Sequence, residues 1–381
     1  MYKECFLKEI DKKDMHKKSC FILNFGPHYR FPIYKRIAEE FDAEFYLGDR
    51  EANSLKGFDY NELPGYRKTL KRYCLPGGVY WLGGSVNLVF KNYEKYILTG
   101  EPLCLSNWVI LIFAWILGKK TISWTHGWYG REHGLKKWIK KFYFHLHTKC
   151  MCYNEYGAKL LVEQGIKSEK VCVVYNSLDS FRQREIRERL EPTDIYSSHF
   201  GNSNPVLIYC GRIQRSKKLD LLLKAVAKLK VEGFDVSTVL VGKEIENVGL
   251  HALAEQLEVS DRVWFYGPCY DEEKLAELFY NATICVSPGN VGLTAIHSLT
   301  YGCPVITHDN LSDQMPEFEA VRPCLTGDFF KEDSVESLTN VIKQWIGLSI
   351  KERQKIRMEA YKEIDEKWNV ENQISVLTRI L

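Results

Sequence analysis

Short apolar runs alternate with longer stretches of helical spacing along this chain. Phe21–Asn24 is an apolar run closed by Gly26-Pro27, and Ile33–Phe41 behind it repeats apolar positions at helical intervals. The same alternation predicts strands at Ala43–Leu47, Tyr96–Thr99, Thr121–Thr125, Cys150–Tyr153 and Val171–Tyr175. Helices such as Ser106–Leu117 and Glu155–Glu163 fall between them. Residues 52–92 are less regular and rich in Gly, Tyr and Lys, which predicts loops with one or two helices.

The second half is more regular. Strands are predicted at Val206–Cys210, Ser237–Val241, Val263–Tyr266, Thr283–Val286 and Val305–Thr307, with helices at Leu219–Lys230 and Asp271–Tyr280. These strands are apolar throughout, as expected when both faces of a sheet are covered. Alternating β and α with short loops predicts parallel, doubly wound sheets. Two such sets meet around 177–204, where ERLEPTDIYSSHFGNSNP is polar and turn-rich. The expected organisation is α/β: residues 1–185 as one Rossmann-like domain and 186–365 as a second. The two face a cleft, with ligands at the carboxyl ends of the strands.

Composition changes this picture little. At 381 residues the chain exceeds one ordinary core of roughly 100–200 residues. The charged fraction of 27% and net charge of +3 fit a globular protein and do not point to nucleic acid. Twelve cysteines occur without a CxxC pair, which reads as core thiols in a reducing compartment, with a zinc site or disulfide framework as the alternative. The polar start MYKECFLKEIDKKDMHKK carries no signal-peptide apolar stretch. The most apolar window, WVILIFAWILG at 108–118, is short of the roughly 20 residues a bilayer needs and is expected to be a buried helix.

Candidate chemistry concentrates in VSPGNVGLTAIHSLTYGCPVIT, 286–307. A strand ends at Val286, Ser287-Pro288-Gly289-Asn290 turns, and Gly292 opens a helix with bare amides and a positive dipole end, suited to a diphosphate. Thr294 offers a hydroxyl. A plain tight turn needing glycine is the alternative. In GRIQRSKKLDLLLKA, Arg212 follows a strand and Lys217 precedes a helix. Two fixed cations at strand ends of one sheet suit a diphosphate as well as they suit a solvated basic loop.

These motifs stand in the order found in the retaining glycosyltransferase family 4, glycosyl transferases group 1. Gly211, Arg212, Lys217, Asp220 and Leu221–Leu223 resemble its Gly-Arg, Lys, Asp and Leu-rich helix. Phe265-Tyr266-Gly267 before Asp271-Glu272-Glu273 resembles the next element. Ser287, Gly292-Leu293 and Gly302-Cys303-Pro304-Val305-Ile306 resemble the last. The resemblance covers most of 205–307. It implies the GT-B fold, a nucleotide diphosphate sugar as donor, and donor contacts at Gly26, Gly211, Gly267, Gly289, Asn290, Val291, Gly292, Leu293, Thr294 and His297. It also implies that Arg212, Lys217 and the amides at Gly292–Thr294 stabilise the leaving diphosphate. One departure stands out. Where the family usually has two glutamates separated by seven intervening residues, this chain has Gly289 and His297. His297 still offers a ring nitrogen to a ribose hydroxyl, whereas Gly289 offers only backbone. A packing role for His297 is the alternative.

The first half resembles the family more loosely. NFGPHYRFP at 24–32 resembles its first βα loop. WTHGWYGRE at 124–132 places His126 at a strand end, where relatives keep a histidine near the donor sugar. Asn176 resembles a strand-ending Asn before the interdomain linker, and Trp368–Leu381 a segment crossing back to the first domain, so 366–381 is assigned there. No Asp-x-Asp occurs, and no essential metal or other cofactor is expected. The acceptor is expected to be a saccharide or a lipid-linked saccharide, in cell-surface polysaccharide assembly. In LKKWIKKFYFHLHTK, 135–149, Leu135, Trp138, Ile139, Phe142 and Leu146 share one helical face and the lysines lie largely elsewhere. That suits either an anionic membrane surface, making the protein cytoplasmic and peripheral on the inner face, or an ordinary core-facing helix. A dinucleotide oxidoreductase is disfavoured because no GxGxxG occurs. A non-catalytic nucleotide-sugar binder of the same fold remains open, because the glutamate pair is missing.

Overall fold

A computed structural model describes residues 18–49 and 56–381. The chain forms two compact units, one of 1–176 with 370–381 and the other of 177–369.

The first unit is built on a seven-stranded sheet in the order β3-β2-β1-β6-β7-β8-β9, parallel at every described pairing. Its strands are β1 (Ser19–Leu23), β2 (Ala43–Gly48), β3 (Tyr66–Leu70), β6 (Lys95–Thr99), β7 (Lys120–Thr125), β8 (Lys149–Cys152) and β9 (Val171–Val173). Helix α1 (Phe31–Glu40) lies on one face, where the Phe21 and Phe45 rings stack beneath it. Helices α2 (Leu105–Ile116), α3 (Gly134–Leu146) and α4 (Glu155–Glu163) follow β6, β7 and β8 in turn. Residues 56–92 differ from expectation. They hold β3 and an antiparallel hairpin of β4 (Arg72–Cys74) and β5 (Tyr80–Leu82), with single 3₁₀ turns in place of helices. Their polar, largely exposed strand residues, YRKTL above all, hide the period that marks a buried strand.

Two helices of this unit leave apolar side chains uncovered. In α2, Ile110, Leu111 and Ala114 face the core, but Ile112, Trp115 and Ile116 are exposed, so the window expected to be buried is buried on one side only. A segment apolar all round carries no information about which side its neighbours will cover. In α3, Tyr143 and Phe144 are buried, while Leu135, Trp138, Ile139 and Phe142 stand in solvent. The core-facing reading of that stripe is thereby corrected for these four residues, while the fifth, Leu146, packs against the core. Lys140 is instead turned inward, bonded to Glu132 and 15% exposed.

The second unit begins with α5 (Ser180–Arg187), whose Gln183 donates to Glu272 at 2.8 Å; the boundary expected at 185 falls inside this helix. After α6 (Ile195–Phe200) comes a six-stranded parallel sheet, β12-β11-β10-β13-β14-β15. Its strands are β10 (Val206–Cys210), β11 (Ser237–Val241), β12 (Val263–Gly267), β13 (Ile284–Ser287), β14 (Val305–His308) and β15 (Gly327–Phe330). The helices are α7 (Leu219–Val231), α8 (Leu250–Gln256), α9 (Glu272–Asn281), α10 (Thr294–Thr300), α11 (Val335–Ile346) and α12 (Ile350–Glu366). Strand order reverses at β10, between β11 and β13, and the crevice beyond the carboxyl ends of those strands is where such sheets take ligands. The closing helix α13 (Val370–Thr378) returns to the first unit, where Gln373 donates to the Tyr175 carbonyl at 2.9 Å.

The described cysteines are all free, and Cys150 and Cys152 are both buried on β8. Among the described residues, no helix is long and apolar enough to cross a membrane.

Candidate functional site

Two loops meet at the β10 switch point. The first leaves β10 through Gly211 and Arg212 and ends in a 3₁₀ turn, Arg215–Lys217. The second leaves β13 and runs through Gly289 and Asn290 to Gly292, where φ is +55°, before α10 starts at Thr294. The Gly289 amide donates to the Lys217 carbonyl at 3.0 Å. A Cβ at 289 would sit 2.1 Å from the Ser216 carbonyl oxygen and 2.7 Å from Lys217 Cα. This packing explains the glycine at 289: on this backbone no side chain fits there.

Lys217 is locked by that contact. Its Nζ donates to both the carbonyl and the side-chain oxygen of Asn290, each at 2.6 Å. Burial first, and then the positive charge of Arg212, push the ammonium down to about 8, with Glu317 opposing. Arg212 itself is half-buried, and its guanidinium has no hydrogen-bond or ion-pair partner among the described residues. Only its carbonyl is engaged, accepting from the Tyr209 hydroxyl at 2.8 Å. Two cations therefore lie close together, bonded to neutral oxygens or to nothing.

The amides of Gly292, Leu293 and Thr294 likewise find no acceptor among the described residues. The preceding amide, of Val291, donates to Gln314 Oε1 at 2.9 Å. Gln314 Nε2 in turn donates to the Thr307 hydroxyl and the His308 carbonyl, which fixes the loop to β14. The Thr294 hydroxyl, read as a ligand donor, instead donates to the Cys210 carbonyl at 2.8 Å and staples α10 to β10. The structure thus brings Gly211, Arg212, Lys217 and 289–294 together. Gly267 ends the neighbouring strand β12 with φ +84°, its carbonyl accepting from the Gly242 amide at 2.8 Å.

His297 is engaged elsewhere. Its Nε2 lies 2.9 Å from Glu272 Oε1, which also accepts from the Tyr301 hydroxyl at 2.6 Å and from Gln183. Burial alone would raise the Glu272 carboxyl. The charge of His297 and the hydrogen bonds from His297, Tyr301 and Gln183 outweigh it and hold the group at about 2. Gln314 lies in no quoted motif and is missed by motif reading, while the motif that contains Glu272 gives no sign of its partners, which lie far away in sequence. The acidic start of α9 is visible in the chain, but its pairing is not.

The first unit holds the other two expected residues. Gly26 follows β1, and its amide is taken by the Tyr60 hydroxyl at 3.0 Å. His126 follows β7, with Nδ1 2.5 Å from the Tyr129 hydroxyl and its ring edge-on to Tyr153 at 5.1 Å. The Arg30 guanidinium lies over Tyr153 at 4.6 Å and Trp124 at 5.1 Å. Burial, then the charges of Arg30 and Lys140, push His126 down to about 4, so it is neutral at pH 7.

The nearest approach to a metal-ligand set among the described residues is His308, Asp313 and Glu332, with ligand atoms within 4.8 Å of one another. Glu332 already accepts from Lys218 at 2.9 Å and Asn310 at 2.7 Å, so positive charge is supplied there by the protein. A cavity of about 310 Å³ lined by Tyr280, Gly302, Pro304 and Arg357 lies toward the opposite, amino-terminal ends of the strands and shares no residue with the loops above.

Comparison with known proteins places residues 192–363 in a match to the family Glycosyl transferases group 1. An uncharacterised 41.2 kDa protein in the cps region of Klebsiella pneumoniae is 27% identical over 194 residues, 48% of this chain and 50% of that protein. The alpha-monoglucosyldiacylglycerol synthase of Streptococcus pneumoniae is 28% identical over 193 residues, 47% of this chain and 43% of the synthase. The chain thus spans about half the length of the curated relatives it matches. Over whole folds, Anabaena Alr3699/HepE in complex with UDP superposes with a TM-score of 0.73 at 16% identity, covering 95% of this chain and 99% of that one. The fold is GT-B.

Proposed function

We propose that this chain is a retaining glycosyltransferase of family 4 type. It would move a sugar from a nucleotide diphosphate sugar to a saccharide or lipid-linked saccharide, on the cytoplasmic side, in polysaccharide assembly. The observation that carries the reading is an Arg212 guanidinium with no side-chain partner among the described residues, beside a half-buried Lys217 and three amides that donate to no described acceptor. Half-buried like charges at a sheet's switch point are stabilised by an anion of high charge density, and a diphosphate has the size to reach both. As the glycosidic bond breaks, the leaving diphosphate gains charge where these donors already point. Retention follows from same-face attack, with the leaving phosphate taking the acceptor proton. No metal is needed in this reading.

The other residues take narrower roles. His297 offers a ribose hydroxyl its Nδ1, since Nε2 is held by Glu272. Neutral His126 presents Nε2 to sugar hydroxyls, Nδ1 being held by Tyr129. Gly26 contributes space, not its amide. The cps-region relative supports the polysaccharide setting. Support for UDP comes from the Anabaena complex.

The test is a thermal-shift screen of nucleoside diphosphates and their sugars, followed by product analysis with the anomer read by NMR. Arg212→Ala and Lys217→Ala should each weaken nucleotide binding by roughly 10- to 100-fold, the loss of a charge-assisted contact. Equal stabilisation of wild type and both variants sinks the reading. Binding without turnover across a range of acceptors favours the non-catalytic alternative, which the glycine at 289 specifically supports.

A further inference from the structure

The exposed faces of α2 and α3 form one surface. Trp108 of α2 stacks on Phe142 of α3 with ring centroids 6.1 Å apart, so the two helices are joined by aromatic contact. Outward from that joint, Trp115 is 79% exposed on α2, and Leu135 and Trp138 are 74% and 65% exposed on α3. On α3 the exposed apolar positions 135, 138, 139 and 142 are the stripe that a globular helix normally turns to its core. Here the stripe faces water while Lys140 is tucked inward against Glu132. Scattered exposed apolar residues are ordinary, but a contiguous two-helix patch rich in tryptophan marks a contact surface.

Charge identifies what it contacts. Residues 103–149, which carry both helices, hold eight lysines and arginines and one acid, Glu132. That acid is already bonded to Lys140. Lys136 is exposed at the edge of the patch, and the Lys141 ammonium lies 5.4 Å from the Trp138 ring. A second copy of the chain would set one basic collar against another. An anionic lipid surface meets both features at once: tryptophan and leucine enter the headgroup boundary while the lysines meet phosphate.

We infer that α2 and α3 together dock this protein on an anionic bilayer surface, with Trp115 and Trp138 as the inserted anchors. The inference stands apart from the donor reading, because vesicle binding needs neither nucleotide nor turnover.

The experiment is flotation of the full chain with phosphatidylcholine vesicles, with and without phosphatidylglycerol, at low and high salt. Wild type should float with the phosphatidylglycerol vesicles, lose binding in high salt, and show a blue shift of tryptophan emission. Trp115→Glu combined with Trp138→Glu should abolish flotation with an unchanged melting temperature, since neither side chain is buried. Lys136→Gln combined with Lys137→Gln should weaken binding by roughly 25-fold at low salt, from about fivefold per lysine near an anionic surface. Three results overturn the inference: wild type that stays with the protein fraction, a tryptophan double variant that floats as wild type does, or a patch variant whose only effect is to dissolve a concentration-dependent dimer. A nucleotide response that persists in a variant unable to float leaves the donor reading intact while separating it from this one.

Discussion

The Glu272–His297 cluster and the Arg212–Lys217 pair both place partly buried charge on loops and helices of one unit, and they resolve it in opposite ways. Glu272 collects hydrogen bonds from His297, Tyr301 and Gln183, and these together hold it ionised down to about pH 2. Lys217 has only the two oxygens of Asn290, and a second cation beside it. In the first cluster the Glu272 carboxylate is fully partnered by the protein and ties α5, α9 and α10 together. The second sets two cations side by side, hydrogen-bonded only to the neutral oxygens of Asn290. Buried charge that is fully answered reads as structure, and buried charge left unanswered reads as a receptor.

The largest expected effect comes from breaking the complete cluster. The Glu272 carboxyl is lowered from 4.5 to about 2 by folding, which corresponds to roughly 3 kcal/mol in the folded state. Because the folded value is depressed, that contribution is present above pH 4.5 and is lost as pH falls toward 2. Glu272→Gln should therefore lower stability by about 2–3 kcal/mol at pH 7, measured by denaturant melts. The gap to wild type should fall to less than half by about pH 3 and close only below about pH 2. A gap independent of pH would mean that the cluster acts through packing alone.

Next in size is the incomplete pair with its ligand. Lys217→Ala should reduce nucleoside diphosphate affinity by up to about 100-fold, read by calorimetry. It should do so with a smaller loss of stability than Glu272→Gln shows, since Asn290 is a neutral partner that water can replace.

How much of this contrast is visible in the chain itself follows from how local each feature is. Strands β10 and β11 are legible to the residue, because their apolar runs are closed by Gly211 and Gly242. Arg212 and Lys217 are legible as strand-end cations for the same reason. The glycine at 289 can be seen but not explained, because its cause is the Ser216–Lys217 backbone 72 positions away, pressed against it in space. The Glu272 partners are 25, 29 and 89 positions distant. Residues 66–82 defeat the reading because edge strands rich in Lys and Arg carry no clean period. The open face of α2 defeats it because an all-apolar helix shows no preferred side.

A smaller effect is a pH dependence confined to the incomplete pair. Lys217 is lowered from 10.5 to about 8 in the folded protein, so it loses its proton as pH rises through 8. Nucleotide affinity should fall between pH 7 and pH 9, by at most about tenfold per unit above 8. The opposite change in protein stability should accompany it. A folded value below the unfolded one means that the unfolded chain binds more protons between 8 and 10.5, so the unliganded protein gains stability over that range. Lys217→Arg should flatten the affinity profile, because a guanidinium does not titrate there. A profile unchanged by that substitution assigns the titration to another group.

The smallest effect separates receptor from scaffold most sharply. Without nucleotide, Arg212 makes no side-chain hydrogen bond or ion pair among the described residues, and its charge acts against Lys217. Arg212→Ala should then leave the melting of the unliganded protein within about 0.5 kcal/mol of wild type, as a substitution away from packing does. The shift should be toward greater stability near pH 7, where Lys217 is charged, and should vanish near pH 10, where it is neutral. The same variant should lose most of the stabilisation that saturating nucleotide confers on wild type. A loss above about 1 kcal/mol without ligand would show that Arg212 holds the loop as Glu272 holds its helices, and the two clusters would no longer differ in kind.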